Sequence, residues 1–439
     1  MTYFQMLYNG QFDELVRAAF SKDENGKMTM EKDPTAERAY LRMLMARDNI
    51  WLLSDETIEL LRDEAARGNK YAQYGYARYH VSKQPAENSP WESRRQAIAA
   101  MEQGIADAKA MVAITYGYGD IGQVDWEKEE QMLQEAYEQG SELAAMYLLQ
   151  NYCFGYHFKP ATPDDAVFMA QELIQKQTEA GIEPNGWWYY YLGKALESLE
   201  ESPMRVVENY RKAAELGILK AYVDLILTYA FVDGETLREN DEYLHWIKEG
   251  IAHRSSGAFF LDAAREMTRY ETDLRPRYDE HEIDYSAVRE CTDEIYHQLC
   301  ESGKLGNLAA FEMLGDMYRY GWYNCAEDYK RALACYSEGT KHYGLGATEK
   351  LWEMMHDHLV DRPLDYQDSI ALMGARVGSK KLLAETVIAF QEGRLSEYAD
   401  EIQKYYEPIF DDPDFRLDGD DLPDDDPDPD DDGRYDAWA

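Results

Sequence analysis

A chain of 439 residues that is 45% hydrophobic is long enough to bury several domain-sized cores, yet it has no apolar run of the length a membrane helix needs. Its 85 acidic and 45 basic residues give a formal net charge of −40. That argues against direct nucleic-acid binding, which relies on Lys and Arg displacing counterions from a phosphate backbone. The five cysteines form no CxxC pair and the opening stretch lacks a basic region followed by an apolar one, so we expect a cytoplasmic protein without a disulfide framework or a structural zinc.

Residues 1–60 read as helices over about Tyr3 to Phe20 and Ala36 to Arg47, with a third starting near Asp55 as N-cap. They are expected to cap the open end of a helical stack. From residue 61 a template recurs: a small residue, three others, a large apolar residue, a small one, two others, then Tyr. It is fullest at Ala310, Leu314, Gly315 and Tyr318. It returns at Ala108, Val112, Ala113 and Tyr116, at Ala144, Leu148, Leu149 and Tyr152, and at Ala221, Leu225, Ile226 and Tyr229. Weaker copies start at Ala72 and Ala347, and Ala72, Ala108 and Ala144 stand 36 residues apart. A glycine precedes each copy, as Gly68, Gly104, Gly140 and Gly306 do, and Gly250 is read in the same place for the sixth. After the template comes a turn and a second apolar stretch such as "DYKRALACY", so each unit is a helix-turn-helix hairpin that must stack on neighbours to bury its stripe. The stretch from Thr268 to Tyr285, with Pro276 and mixed charges, reads as a loop inside the sixth hairpin.

Beyond residue 410 the composition changes. Residues 411–439 hold 14 Asp and two Arg interrupted by prolines, so this tail is expected to be disordered. Its fragment Asp428-x-Asp430-x-Asp432-Gly433 copies half of a calcium loop, but Ala439 stands where a bidentate Glu belongs, and a solvated charge run is expected.

A unit of the form A-x-x-x-L-G-x-x-Y, a glycine turn, D-Y-x-x-A and a closing A-A-x-x-G resembles the Sel-one-like repeat family, relatives of tetratricopeptide repeats. Gly321, Asp328, Tyr329 and Ala332 complete the fullest match, and Ala213, Ala214 and Gly217 give the clearest closing motif. The resemblance covers roughly residues 60 to 390. It implies an all-α fold, a right-handed α-α superhelix forming a solenoid of about nine helix-turn-helix repeats over residues 61–410. It also implies an adaptor for protein complexes and not a catalyst. The paired cysteines of the family's secreted members are absent.

On a helical wheel the template offsets 0, +4, +5 and +8 share one arc, which leaves offsets −1, +2 and +6 opposite. These are expected to line a concave groove. They are Tyr71, Tyr74 and Arg78 in the first hairpin, Leu143, Met146 and Gln150 in the third, Trp187, Tyr190 and Lys194 in the fourth, and Ala309, Glu312 and Asp316 in the seventh. Aromatic residues on such a surface usually carry binding energy, although packing between adjacent first helices would use the same positions. The expected partner is a protein or peptide, and the charge allows a basic one. The alternative is an acidic decoy or immunity-type inhibitor that blocks a basic nucleic-acid-binding protein or toxin by charge mimicry. No phosphate loop, nucleophile elbow or HExxH motif occurs, and His356 and His358 point to different sides of a helix, so no catalytic residue, cofactor or metal is expected.

Overall fold

Apolar spacing of about 3.6 residues dictates helix along almost the whole chain, and helix is what the computed structural model contains. It describes residues 2–410 apart from 23–27, 30–32, 84–89, 118–124, 157–158, 231–240, 343 and 377. The expected disordered tail and its half calcium loop lie outside the described residues. The chain divides into two compact units, residues 1–310 with 323–325, and residues 311–322 with 326 onward.

The first unit opens with α1 (Tyr3–Tyr8) and α2 (Phe12–Ala19), separated at Asn9 and Gly10, so the first expected helix is two short ones. β1 (Ser21–Lys22) and β2 (Met28–Thr29) form a two-residue antiparallel ladder, and the only other β pairing among the described residues is the bridge between Tyr156 and Lys159. Then come α3 (Pro34–Met45), α4 (Arg47–Trp51) and α5 (Asp55–Ala66), the last capped by Ser54, whose hydroxyl accepts from Thr57 N.

The hairpins follow. They pair α6 (Lys70–Lys83) with α7 (Pro90–Glu102), α8 (Ala106–Gly117) with α9 (Trp126–Glu138), and α10 (Glu142–Phe154) with α11 (Pro163–Glu179). Next are α12 (Gly186–Ser198) with α13 (Pro203–Glu215), and α14 (Leu219–Ala230) with α15 (Asp241–Ala252). The sixth hairpin runs from α16 (Ser256–Arg269) through one π-helical turn, Tyr270–Leu274, into α17 (Arg275–Asp279), and returns as α18 (Tyr285–Lys304). The expected loop here is thus mostly helical. Pro276 follows directly on that π-helical turn, where the Arg275 N–H still reaches back to Tyr270 O, so the helix runs through the proline. Gly250 likewise is not the turn of this hairpin but a buried residue inside α15, and Arg254 supplies the positive φ of 59° instead.

The second unit takes most of α19 (Leu308–Tyr320), then α20 (Tyr329–Lys341), α21 (Leu345–His356), α22 (Leu364–Arg376), α23 (Lys380–Gln391), α24 (Ala399–Tyr405) and α25 (Glu407–Phe410). Offset zero of the template behaves as close packing requires: Ala72, Ala108, Ala144, Ala221 and Ala310 are fully buried. The cysteines are all free thiols, with Cys153 and Cys291 buried, and burial pushes both of these thiols up to about 12.

Residues 1–60 reach well along the first unit. They do more than precede the first hairpin, because a single hydrophobic core runs from Leu7 through Leu15, Tyr40, Met43 and Leu44 and on through the hairpins to Leu261. Several turns preceding first helices meet these N-terminal helices. Tyr8 donates to Glu183, and Trp51 Nε1 donates to Lys304 O at 2.9 Å.

Candidate interaction surface

Each candidate position faces something already in the chain. Tyr71, Tyr74 and Arg78 on α6 are 2%, 0% and 5% exposed, because α3 lies against them. Tyr40 on α3 donates its hydroxyl to Tyr71 O at 2.9 Å, and the Arg78 guanidinium donates to Leu44 O and Met45 O at 2.8 and 3.0 Å. Leu143 and Met146 on α10 and Trp187 and Tyr190 on α12 are buried as well, and Leu7, Tyr8 and Arg42 line the same narrow cleft as Trp187. The expected solvent-facing aromatic strip is therefore corrected: these rings are core. The wheel considered only the partner helix of the same hairpin, whereas adjacent first helices and the N-terminal helices cover the other side.

A buried polar cluster fastens that cover. The Arg42 guanidinium, 4% exposed, grips both carboxylate oxygens of Glu142 at 2.7 and 2.9 Å and donates to Glu183 O at 2.9 Å. Asn185, the N-cap of α12, donates to Glu142 at 2.7 Å and to Met45 Sδ at 3.3 Å. Gln177 completes the cluster, donating to Glu142 and accepting from Asn185 N and from Trp188 Nε1, each bond 2.8 to 2.9 Å long. Nearly every donor there has an acceptor, the condition under which a buried charge is tolerated.

Offset +6 does a different job from the one expected. Lys194 at +6 of α12 pairs with Asp224, at +3 of α14, at 2.6 Å. In the second unit Asp316 at +6 of α19 pairs with Lys350, at +3 of α21, at 2.5 Å. The charges are reversed but the positions match. Gln150 at +6 of α10 is half-buried and accepts from the Tyr191 hydroxyl at 3.4 Å.

Each clasp is backed by a second-helix tyrosine. Tyr336 donates to Asp316 at 2.5 Å, and Tyr210 donates to Glu197 at 2.7 Å beside Lys194. Both rings lie over a glycine at +5, Gly315 and Gly193, where any Cβ would collide with them. Burial pushes the Asp316 carboxyl up while Lys350 pulls it down. Lys350 is held above its usual range by Asp316 and Glu312 although burial opposes it. Helical-wheel reasoning missed Asp224, Lys350, Tyr210 and Tyr336; aligning the units as columns would have shown opposite charges at +6 and +3.

In the second unit the same face of the first helices is ionic and partly open, with Asp316 and Arg319 buried. Glu312, one third exposed, pairs with Lys350 at 2.9 Å. Arg319 donates to Glu353 at 3.1 Å and Asp357 at 3.5 Å, and Lys381 on α23 reaches Glu353 at 3.1 Å. Asp357 and Lys381 keep about half of their side-chain surface, 51% and 49%. Among the described residues no cluster of His, Cys, Asp and Glu is arranged to hold a metal ion.

No family model matches this chain, and no curated protein matches it either. Among solved structures it is similar to a Sel1 repeat protein from Oxalobacter formigenes, with 18% identity over 74% of this chain and 87% of that one and a TM-score of 0.36. It is also similar to c5321, a protective antigen present in uropathogenic Escherichia coli strains displaying an SLR fold, with 17% identity over 92% of each chain and a TM-score of 0.34. The repeat assignment rests on this chain's own residues: a small buried residue at offset zero, the glycine turns, and paired helices at a spacing near 36 residues.

Proposed function

We propose that this chain, an array of Sel-one-like helical repeats, is a non-catalytic cytoplasmic scaffold that holds a partner protein on the first-helix face of α19, α21 and α23. The observation that carries the reading is the contrast in cover. The equivalent face of α6, α10 and α12 is packed with the chain's own side chains, whereas Glu312, Glu353, Asp357 and Lys381 remain accessible. Half-exposed charges on fixed helices give specificity and orientation to a docking partner. Among the described residues no helix is long and apolar enough to cross a membrane.

The test is comparative capture from the native host. Asp357→Lys with Lys381→Glu reverses the face at two half-exposed positions, and Asp164→Lys with Arg205→Glu makes the same exchange on α11 and α13. The first pair should release a protein that the unaltered chain and the second pair both retain. Retention by all three would remove the face from consideration. The net charge of −40 favours a second reading, the acidic decoy. It predicts that capture collapses between low and moderate salt and that neither pair of exchanges matters more than the other.

A further inference from the structure

Where the second hairpin turns, two cations close on one phenol. Tyr116, half-buried near the end of α8, has the Arg94 guanidinium of α7 4.8 Å from its ring centroid and the Lys128 ammonium of α9 4.1 Å from it. The backbone fixes this corner: Asp125 N donates to Tyr116 O at 3.0 Å, and the Asp125 carboxylate accepts from Lys128 N at 3.0 Å to cap α9. A cation over the template tyrosine is in part packing, since Arg331 lies over Tyr318 at 5.4 Å in the seventh hairpin, but Arg331 is also paired with Asp328 at 3.5 Å. Neighbouring cations are paired too, Arg95 with Glu92 at 2.7 Å and Lys109 with Glu135 at 2.6 Å. Among the described residues neither Arg94 nor Lys128 meets a carboxylate at ion-pair distance, and the buried Arg94 Nε has no acceptor. In a chain with 85 acidic and 45 basic residues, two positive charges thus stand together without compensation. Lys128 and Arg94 hold the phenol below its usual value while burial opposes them, so both charges act at its oxygen.

We propose that Arg94, Lys128 and the Tyr116 hydroxyl bind a phosphate group, at a site that shares no residue with the docking face proposed above. Cations 4.8 and 4.1 Å from one ring centroid stand within about 9 Å of each other, and a phosphate, with oxygens about 2.5 Å apart, bridges such a gap with one hydrogen bond on each side. A carboxylate brings two oxygens and one charge. A phosphate dianion offers separate oxygens to the guanidinium, the ammonium and the hydroxyl, and it balances both cations. Inorganic phosphate and a phosphate monoester share this chemistry.

The test is calorimetric titration of inorganic phosphate into the full chain at neutral pH and fixed ionic strength, beside phenyl phosphate and acetate. Inorganic phosphate should saturate one site, and acetate should not displace it. Binding of phenyl phosphate as well would mark a site for a phosphate monoester, whereas its exclusion would mark one for the free ion. Arg94→Gln and Lys128→Gln should each weaken phosphate binding by about tenfold, while Lys128→Arg, which keeps the charge, should retain most of it. Tyr116→Phe keeps the ring and should lose less. Arg94 packs on that ring, so melting without phosphate checks that each variant folds, and the exposed Lys128 is the decisive position. Arg95→Gln, next to Arg94 but paired with Glu92, should change nothing. Absence of saturable binding by either phosphate, displacement by acetate, or an equal loss for Arg95→Gln and Lys128→Gln would leave only diffuse charge attraction and overturn the proposal.

Discussion

Offset +6 can carry an ion-paired residue in either unit, but offsets −1 and +2 of the first helices meet different fates. On α6, α10 and α12 offsets −1 and +2 are Tyr71, Tyr74, Leu143, Met146, Trp187 and Tyr190, all buried, and the polar cluster around Arg42 and Glu142 fixes the N-terminal helices beside them. On α19 and α21 the face includes Glu312 at +2 with Asp316 and Glu353 at +6, joined in ion pairs whose outer members still meet water. A repeat template thus specifies how a hairpin closes but leaves open what its far side touches. Apolar side chains there call for a cover, and charged ones can do without it.

The largest test of this contrast is Trp187→Ala, which should cost about 3 to 5 kcal/mol of unfolding free energy, as expected for a buried tryptophan. Denaturant unfolding measures it, and a loss near zero would return this strip to the surface. Removing the fastening should come next: Arg42→Ala leaves Glu142 without its guanidinium and should lose about 3 kcal/mol, with faster amide exchange across α3.

The clasps can be tested by exchanging polarity. Lys350→Asp alone should destabilise by about 2 to 3 kcal/mol, because it sets carboxylates against one another in a partly buried site. Adding Asp316→Lys, which reproduces the order of Lys194 and Asp224, should recover at least half of that. No recovery in the double variant would show that the surroundings, and not the pair, choose the sign.

A smaller effect depends on pH. Asp107 on α8 accepts from Ser141 Oγ at 2.6 Å and from Leu143 N at 3.2 Å, so it supports the start of α10. Burial pushes its carboxyl up to about 6, Glu142 adds to the shift, and the Ser141 and Leu143 bonds together with Arg78 oppose it. A carboxyl raised in the folded state favours folding while protonated, so its contribution is present below the ordinary value of 3.8 and is lost as pH rises through about 6. Asp107→Asn keeps an acceptor and should gain on the order of 2 kcal/mol over the original chain at pH 7 but little at pH 4. Melting at both values measures it. Smallest of all, Lys381→Ala removes a half-exposed pair and should change stability by less than about 1 kcal/mol.

Much of the architecture was legible because close helix packing demands small residues at fixed intervals, which is why Ala72, Ala108 and Ala144 announce their hairpins. The surface was less so. Arg42 and Glu142 lie 100 residues apart, and nothing local to either one indicates the other. The burial of Trp187 and Tyr190 could not be read from α12 alone, since a wheel has no knowledge of neighbouring helices. The continuation of helix past Thr268 was obscured by Pro276, which signals a break in a helix interior but here follows a π-helical turn.

The reversed clasps carry one more consequence. Were α12 to stack beside α21, Lys194 would meet Lys350; were α19 to stack beside α14, Asp316 would meet Asp224. Hairpins built on one packing template are prone to join in the wrong sequence while the chain folds, because each offers its neighbours nearly the same apolar ridge. Polarity at two fixed positions works like a keyed connector, accepting the proper successor and repelling an impostor of identical shape. The Lys194–Asp224 and Asp316–Lys350 pairs therefore record the order of the hairpins, information absent from the alanine, leucine, glycine and tyrosine pattern that builds them.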